Sequence, residues 1–257
     1  MMRFDHLRCG REGARTVVLC SGLGGSGGYW RPHLDRWRRD YDLILYDQRG
    51  TGANSAPLGP VTIADFADDL LEVCDAAGVA RFDLIGHALG GLVGFDLACR
   101  APARLDRLVA INAWPAIDAH TARCFDIRLA TLQAQGVAAF AALQQNFLYP
   151  PFWISAHPDR IAAEEAHVAA HFQGQDNLRH RIDALRAFRL GDWPVGGAKV
   201  LLVSALDDAL VDAAQSRRLA QLIPGAQLRE YPQGGHAVNL TQQPLFEADV
   251  QGFLRRD

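Results

Sequence analysis

The feature that most restricts the fold is a set of short, unbroken apolar runs separated by longer stretches of helical period. Residues 16–20 (TVVLC), 43–46 (LILY), 82–85 (FDLI), 108–112 (LVAIN), 200–204 (VLLVS) and 227–231 (QLREY) read as strands. Most are continuous rather than alternating, the pattern of strands covered on both faces, as a parallel sheet requires. Helical stretches at 63–77, 89–100, 212–222 and 245–254 fall between most of them. The predicted class is therefore α/β, a mostly parallel sheet with flanking helices. One interval breaks the rhythm. From Trp114 to about Trp193 the chain keeps a helical period, broken at Tyr149-Pro150-Pro151 and His157-Pro158, with no strand candidate. An insertion of that kind caps the carboxyl edge of the sheet, where open α/β sheets bind ligands. The expected organisation is one domain over 1–257, with a core of 1–113 and 194–257 and a helical cap over about 114–193.

Composition narrows the function classes. With 257 residues and 49% apolar content, one large core is expected. The formal net charge is -3 and the 26 basic residues are dispersed, so nucleic acid is excluded as a partner. No apolar run approaches the ~18–20 residues that span a bilayer, and the start MMRFDHLRCGREG lacks a signal-peptide core. A cytoplasmic protein without a membrane partner is expected. Cys9, Cys20, Cys74, Cys99 and Cys124 form no Cys-x-x-Cys pair and no zinc-type spacing, and read as buried free thiols. The single lysine, Lys199, precedes a buried run, a poor place for Schiff-base chemistry. The glycine-rich stretches do not fit a P-loop. Neither metal nor organic cofactor is expected.

The segment FDLI-GHALGG-LVGFDLA carries the chemistry. A strand, a glycine-flanked turn and a helix form the setting of a G-x-S-x-G nucleophile elbow, whose glycines allow close backbone approach. Ala88 stands where the serine belongs. The loop SGLGGSGGYW, from Ser21 to Trp30, follows an early strand. Such a loop supplies one oxyanion N–H and the residue after the elbow centre supplies the other, which assigns the donors to Leu23 and Leu89. After the interrupted interval come SALDDALVD and then YPQGGHAVN, an acid followed by a histidine, in the order this elbow uses. His236 is the inferred base. Asp208 is preferred over Asp207 as its partner, because the acid in such turns lies four residues before a proline, here replaced by Asp212.

Taken together, SGLGGSGGYW, YDQRGTG, GHALGG, HFQGQDNL and GGHAVN resemble the RutD family of α/β-hydrolases. That family is assigned to bacterial uracil degradation as carbamate or aminoacrylate hydrolases. The likeness covers nearly the whole chain, including the cap segments NAW-PAIDAHTARCF and FLYPPFW. It implies an α/β-hydrolase fold with the cap inserted after the strand counted sixth in that fold. The family also carries alanine at the elbow, which implies that Ala88 is native.

A methyl group cannot attack a carbonyl, so no acyl-enzyme forms at position 88. What remains is acid–base help from His236 and Asp208 and oxyanion stabilisation by two amides. That suffices for a labile substrate such as carbamate or 3-aminoacrylate. Two other readings compete: a serine esterase carrying an inactivating change to alanine, and a binding protein on a hydrolase fold.

His87 is expected to support the turn rather than react, and Arg49 to brace the YDQRGTG turn through Asp47. Gly22, Tyr29, Trp114, Tyr149 and Trp153 are candidates for substrate contact. Among the cap aromatics, which also include Phe147, Phe172 and Trp193, two are expected to line the pocket and the rest to pack the lid. Arg123, Arg128, His171 and Asn177 could meet an anionic substrate oxygen. Homodimerisation would be ordinary for such a domain.

Overall fold

In the computed structural model, which describes residues 1–255, the apolar runs become a seven-stranded sheet. Its strands are β1 (Phe4–Leu7), β2 (Thr16–Cys20), β3 (Asp42–Tyr46), β4 (Phe82–His87), β5 (Leu105–Ile111), β6 (Lys199–Ala205) and β7 (Gln227–Tyr231), in the spatial order β1-β3-β2-β4-β5-β6-β7. Only β1 runs antiparallel. That short edge strand, with its half-exposed FDHL pattern, carries no buried run and was not among the predicted strands. The predicted boundary at Asn112 also moves: β5 starts earlier, at Leu105, and stops at Ile111.

The helices α1 (Arg31–Trp37), α2 (Ile63–Ala76) and α3 (Leu89–Arg100) follow β2, β3 and β4. Helix α1 went unpredicted; its seven residues, RPHLDRW, are too few for a helical period to show. Helix α2 starts on a capping box in which Thr62 and Asp65 satisfy one another's backbone N–H groups. Four helices lie between β5 and β6: α4 (Ala119–Leu148), α5 (Pro151–Ala156), α6 (Pro158–Ala170) and α7 (Gln175–Ala187). In the count that makes the strand before the oxyanion loop the third, β2 is third and β5 sixth, so the insertion follows the strand expected. Helix α4 bends at Gly136, where φ is 81°. The chain closes with α8 (Ala213–Leu222), α9 (Val238–Thr241) and α10 (Gln243–Arg255).

Two apolar layers cover the sheet. Phe66, Leu70, Leu92, Phe95 and Leu219 pack on one face, and Trp30, Trp37, Phe246 and Val250 on the other. The adjacent strands β2 and β4 therefore send their following segments to opposite faces, α1 to the second layer and α3 to the first. Their carboxyl ends form the switch point where such sheets hold ligands. Both the SGLGGSGGYW loop and the GHALGG turn begin there.

Candidate active site

Glycine is obligatory on both sides of the elbow. A Cβ on Gly86 would lie 2.3 Å from the Gly90 backbone, and one on Gly90 would lie 2.1 Å from the Cys20 carbonyl oxygen. The pair allows α3 to start directly against β2 and β4. Between them Ala88 adopts φ 45° and ψ −105°, a conformation that costs a non-glycine residue of order 1–3 kcal/mol and is held only where its surroundings enforce it. Here the Ala88 N–H donates to the Ile111 carbonyl at 2.8 Å and the Ala88 carbonyl accepts from Leu92 N–H at 3.1 Å. The strain of a nucleophile elbow persists although the nucleophile is gone.

His236 lies in the loop after β7, its ring buried, with Nδ1 2.8 Å from Asp208 Oδ2. Asp208 is wholly buried as a side chain; its Oδ1 accepts the N–H groups of Leu210 (2.8 Å) and Val211 (2.9 Å), which fixes the carboxylate. With Nδ1–H directed at a carboxylate, the neutral ring presents the Nε2 lone pair, and Nε2 meets no hydrogen-bond partner among the described residues. Asp207 does different work. Its Oδ1 accepts the Gly235 N–H at 2.8 Å and so anchors the histidine loop. Asp212 caps α8 by accepting the Ala214 N–H.

His87 connects these parts. Its Nε2–H donates to the His236 carbonyl at 2.8 Å, and its ring centroid lies 4.7 Å from that of His236 and 5.2 Å from that of Tyr29. A side chain on Gly22 would run into His87 Nδ1. The loop after β2, the histidine loop and the elbow thus meet around one imidazole. Ala88 follows His87 in the chain, and Gly22 packs against its ring. No acceptor meets the amide N–H of Leu23 or Leu89 among the described residues.

Burial, with the nearby His236 adding to it, pushes His87 down from its ordinary 6.5 to about 3. The unfolded chain takes up that proton first as pH falls. The stabilisation is therefore complete above pH 6.5 and is lost between 6.5 and 3, amounting to about 3 kcal/mol by pH 4. His87→Gln, which keeps an N–H donor but does not titrate, is expected to flatten the acid limb by about that amount, read from urea midpoints at pH 7 and pH 4.

Asn112 and Arg181 also hold the site and were not anticipated. Asn112, at φ 49°, gives its Nδ2–H to the His236 carbonyl at 2.6 Å. An asparagine closing an apolar strand is the one available signal, since Asn tolerates the left-handed region. Arg181, with 0% exposure, donates to the carbonyls of Leu23 (3.1 Å) and Arg49 (2.8 Å) and to Gln48 Oε1 (2.5 Å), which ties down the loop after β2. Nothing in the sequence of α7 marks it.

The Arg49–Asp47 brace is not formed. Arg49 instead makes a two-pronged pair with Asp69 on α2 at 2.5 and 2.6 Å, whereas Asp47 accepts the N–H groups of Gly27 and Ala53. The bend after β3 turns the guanidinium towards the helix and leaves the carboxylate to bind backbone.

Tyr29 donates to Asn239 Oδ1 at 2.7 Å. Trp114 and Tyr149 are buried; Tyr149 donates to Glu164, and Trp153 stacks on His157 and Tyr149. Trp193 packs against Phe95 and Phe172 against Phe140. Phe147 is a half-buried neighbour of the core. Arg123 and His171 are exposed, and Asn177 is taken up by Leu58 N–H and the Gly50 carbonyl. The cysteines are free, but Cys9 and Cys99 are only half-buried, because they sit outside the sheet core. No group of His, Cys, Asp and Glu suited to a metal ion occurs among the described residues, and none of their helices is long and apolar enough to cross a membrane.

The family described as "alpha/beta hydrolase fold" matches residues 15–243. The protein named "Putative carbamate hydrolase RutD" in Agrobacterium fabrum is 45% identical over 259 residues, spanning 98% of each chain. Its namesake in Variovorax paradoxus is also 45% identical, over 96% of this chain and 94% of the other. Among solved structures, the enol-lactonase of Burkholderia xenovorans superposes with a TM-score of 0.88 at 26% identity, covering 100% of this chain and 96% of that one. A hydrolase from Pseudomonas aeruginosa gives 0.86 at 29%, covering 99% and 93%. The chain belongs to the α/β-hydrolase-fold family and, within it, to the RutD family.

Proposed function

We propose that the protein hydrolyses a small, labile C–N compound of pyrimidine catabolism without a covalent acyl-enzyme. Carbamate, split to ammonia and carbon dioxide, is the first substrate, as the names of the relatives suggest. The observation that carries the reading is the Asp208–His236 pair, intact at 2.8 Å beside an elbow without a nucleophile. His236 Nε2 moves a proton to or from water and the leaving nitrogen, Asp208 holds the ring, and the Leu23 and Leu89 amides take the developing oxyanion. Acid–base help of this kind contributes ~10²–10⁴-fold, too little for an ordinary amide but enough for a compound that already decays in water.

3-Aminoacrylate is the second reading. Its imine tautomer adds water at C3 and expels ammonia to leave malonate semialdehyde. The buried guanidinium of Arg128 on the cap helix α4 favours it, because aminoacrylate keeps its carboxylate apart from the carbon that reacts. The test is ammonia release from freshly prepared carbamate and from aminoacrylate, each corrected for its spontaneous rate. At least one is expected to accelerate in proportion to protein concentration; no acceleration of either refutes the proposal.

A further inference from the structure

Arg128 stands out among the buried charges. It lies on the inward face of α4, where Thr121, Cys124, Phe125, Arg128 and Leu132 are all buried at helical spacing. The first turns of that face sit on the loop that carries the site's acid. Thr121 Oγ1 donates to the Leu210 carbonyl at 3.1 Å, and the Cys124 thiol lies 3.8 Å from the Ala209 carbonyl. Long side chains on a helix lean towards its N-terminus, so the Arg128 guanidinium leans back towards Cys124 and that loop. It lies 5.6 Å from the ring centroids of both Phe125 and Phe140.

Its bonding is incomplete. Arg128 is 4% exposed, and of the five N–H donors of a guanidinium only Nη2 finds an acceptor, Gln144 Oε1 at 2.7 Å; buried Nε has none among the described residues. No carboxylate pairs with it there, although most of the other arginines in ion pairs lie at the surface. Arg181 is the informative contrast. It is as deeply buried and also lacks a carboxylate, but backbone and amide oxygens occupy its donors. Burial draws Arg128 down to about 10, which still leaves it a cation at neutral pH. A buried cation without a counter-ion is an expensive feature to keep, and a guanidinium with open donors is matched in shape and charge by a carboxylate.

We infer that Arg128 binds the carboxylate of the ligand and so selects small anionic substrates over their neutral analogues. The inference rests on the proposed function for the location of the site but not on turnover. An anion held on the cap and a proton-moving pair held on the sheet suit a ligand whose charged and reacting groups are different atoms.

The test compares propanoate with propanamide, equal in shape and different in charge, by ligand-observed NMR titration at pH 7.5. The native protein is expected to bind propanoate at least tenfold more tightly. Arg128→Met is expected to bring the two to within twofold, and Arg128→Lys to keep part of the preference. Equal binding of acid and amide by the native protein overturns the inference, as does a folded Arg128→Met protein that retains the preference. Should Arg128→Met fail to fold by near-ultraviolet circular dichroism, the native comparison and the lysine variant decide. His236→Ala is expected to keep the carboxylate preference while losing the accelerated release, and the native protein's two readouts separate the proposals. In the native protein, a carboxylate preference without accelerated ammonia release refutes the proposed reaction and leaves the Arg128 assignment standing. Accelerated release from a protein indifferent to charge does the reverse.

Discussion

His236→Ala and Asp208→Asn are each expected to lower the protein-dependent rate of ammonia release by ~10²–10⁴, which removes the whole acid–base contribution. The reason differs for the two. Alanine at 236 takes away the imidazole that Asp208 orients, whose Nε2 meets no partner among the described residues. Asparagine at 208 keeps the shape and still accepts from Leu210 and Val211 through Oδ1. It can, however, present an NH2 group to Nδ1, which favours the opposite tautomer and turns Nε2 from acceptor into donor. Asp207→Asn is the control. That carboxylate binds the Gly235 backbone rather than the ring, so its loss loosens the loop and is expected to cost about tenfold or less. Turnover numbers corrected for the spontaneous reaction check all three. An Asp208→Asn protein within twofold of the native rate would show that the 2.8 Å contact orients nothing that matters.

Why the site was partly legible follows from where its information lies. The elbow could be read because its strand, glycine-flanked turn and helix are contiguous in the chain, with Gly86 against Gly90, although Gly90 itself is also held against distant Cys20. The order of acid and histidine could be read because it is a property of the chain. Asp208 and Asp207 are adjacent letters that end on different partners, and only the turn after β6 separates them. Asn112 meets His236 across 124 positions and Arg181 meets Leu23 across 158, so neither role has a local pattern. The Arg49 pairing shows the opposite failure. A close sequence neighbour was preferred, and the true partner on α2 lies 20 residues away. Arg128 was one of four candidates of equal standing. Burial sorts them: two are exposed and one is occupied by backbone, which leaves a single guanidinium with donors to spare.

The Ala88→Ser protein is expected to gain a reaction it lacks and to lose the one it has. The backbone at 88 already holds the strained elbow conformation, so a serine there needs no rearrangement of the turn, and its Oγ would stand beside an imidazole already oriented by a carboxylate. Hydrolysis of p-nitrophenyl acetate is expected to rise ~10²–10⁴-fold over the alanine protein, short of the roughly 10⁶ that an optimised triad gives. It should show a burst of nitrophenol and an acetyl group on the protein by intact mass, because the pocket has not been selected to deacylate. Ammonia release should fall, since the new hydroxyl takes the Nε2 hydrogen bond that the proposed mechanism gives to water. The outcome also discriminates between histories of the site. A protein in which serine improves the carbamate or aminoacrylate reaction is a damaged serine hydrolase, and the non-covalent mechanism is then wrong. One in which serine exchanges that reaction for stalled esterase chemistry has alanine at its elbow because the methyl group keeps the imidazole free for water.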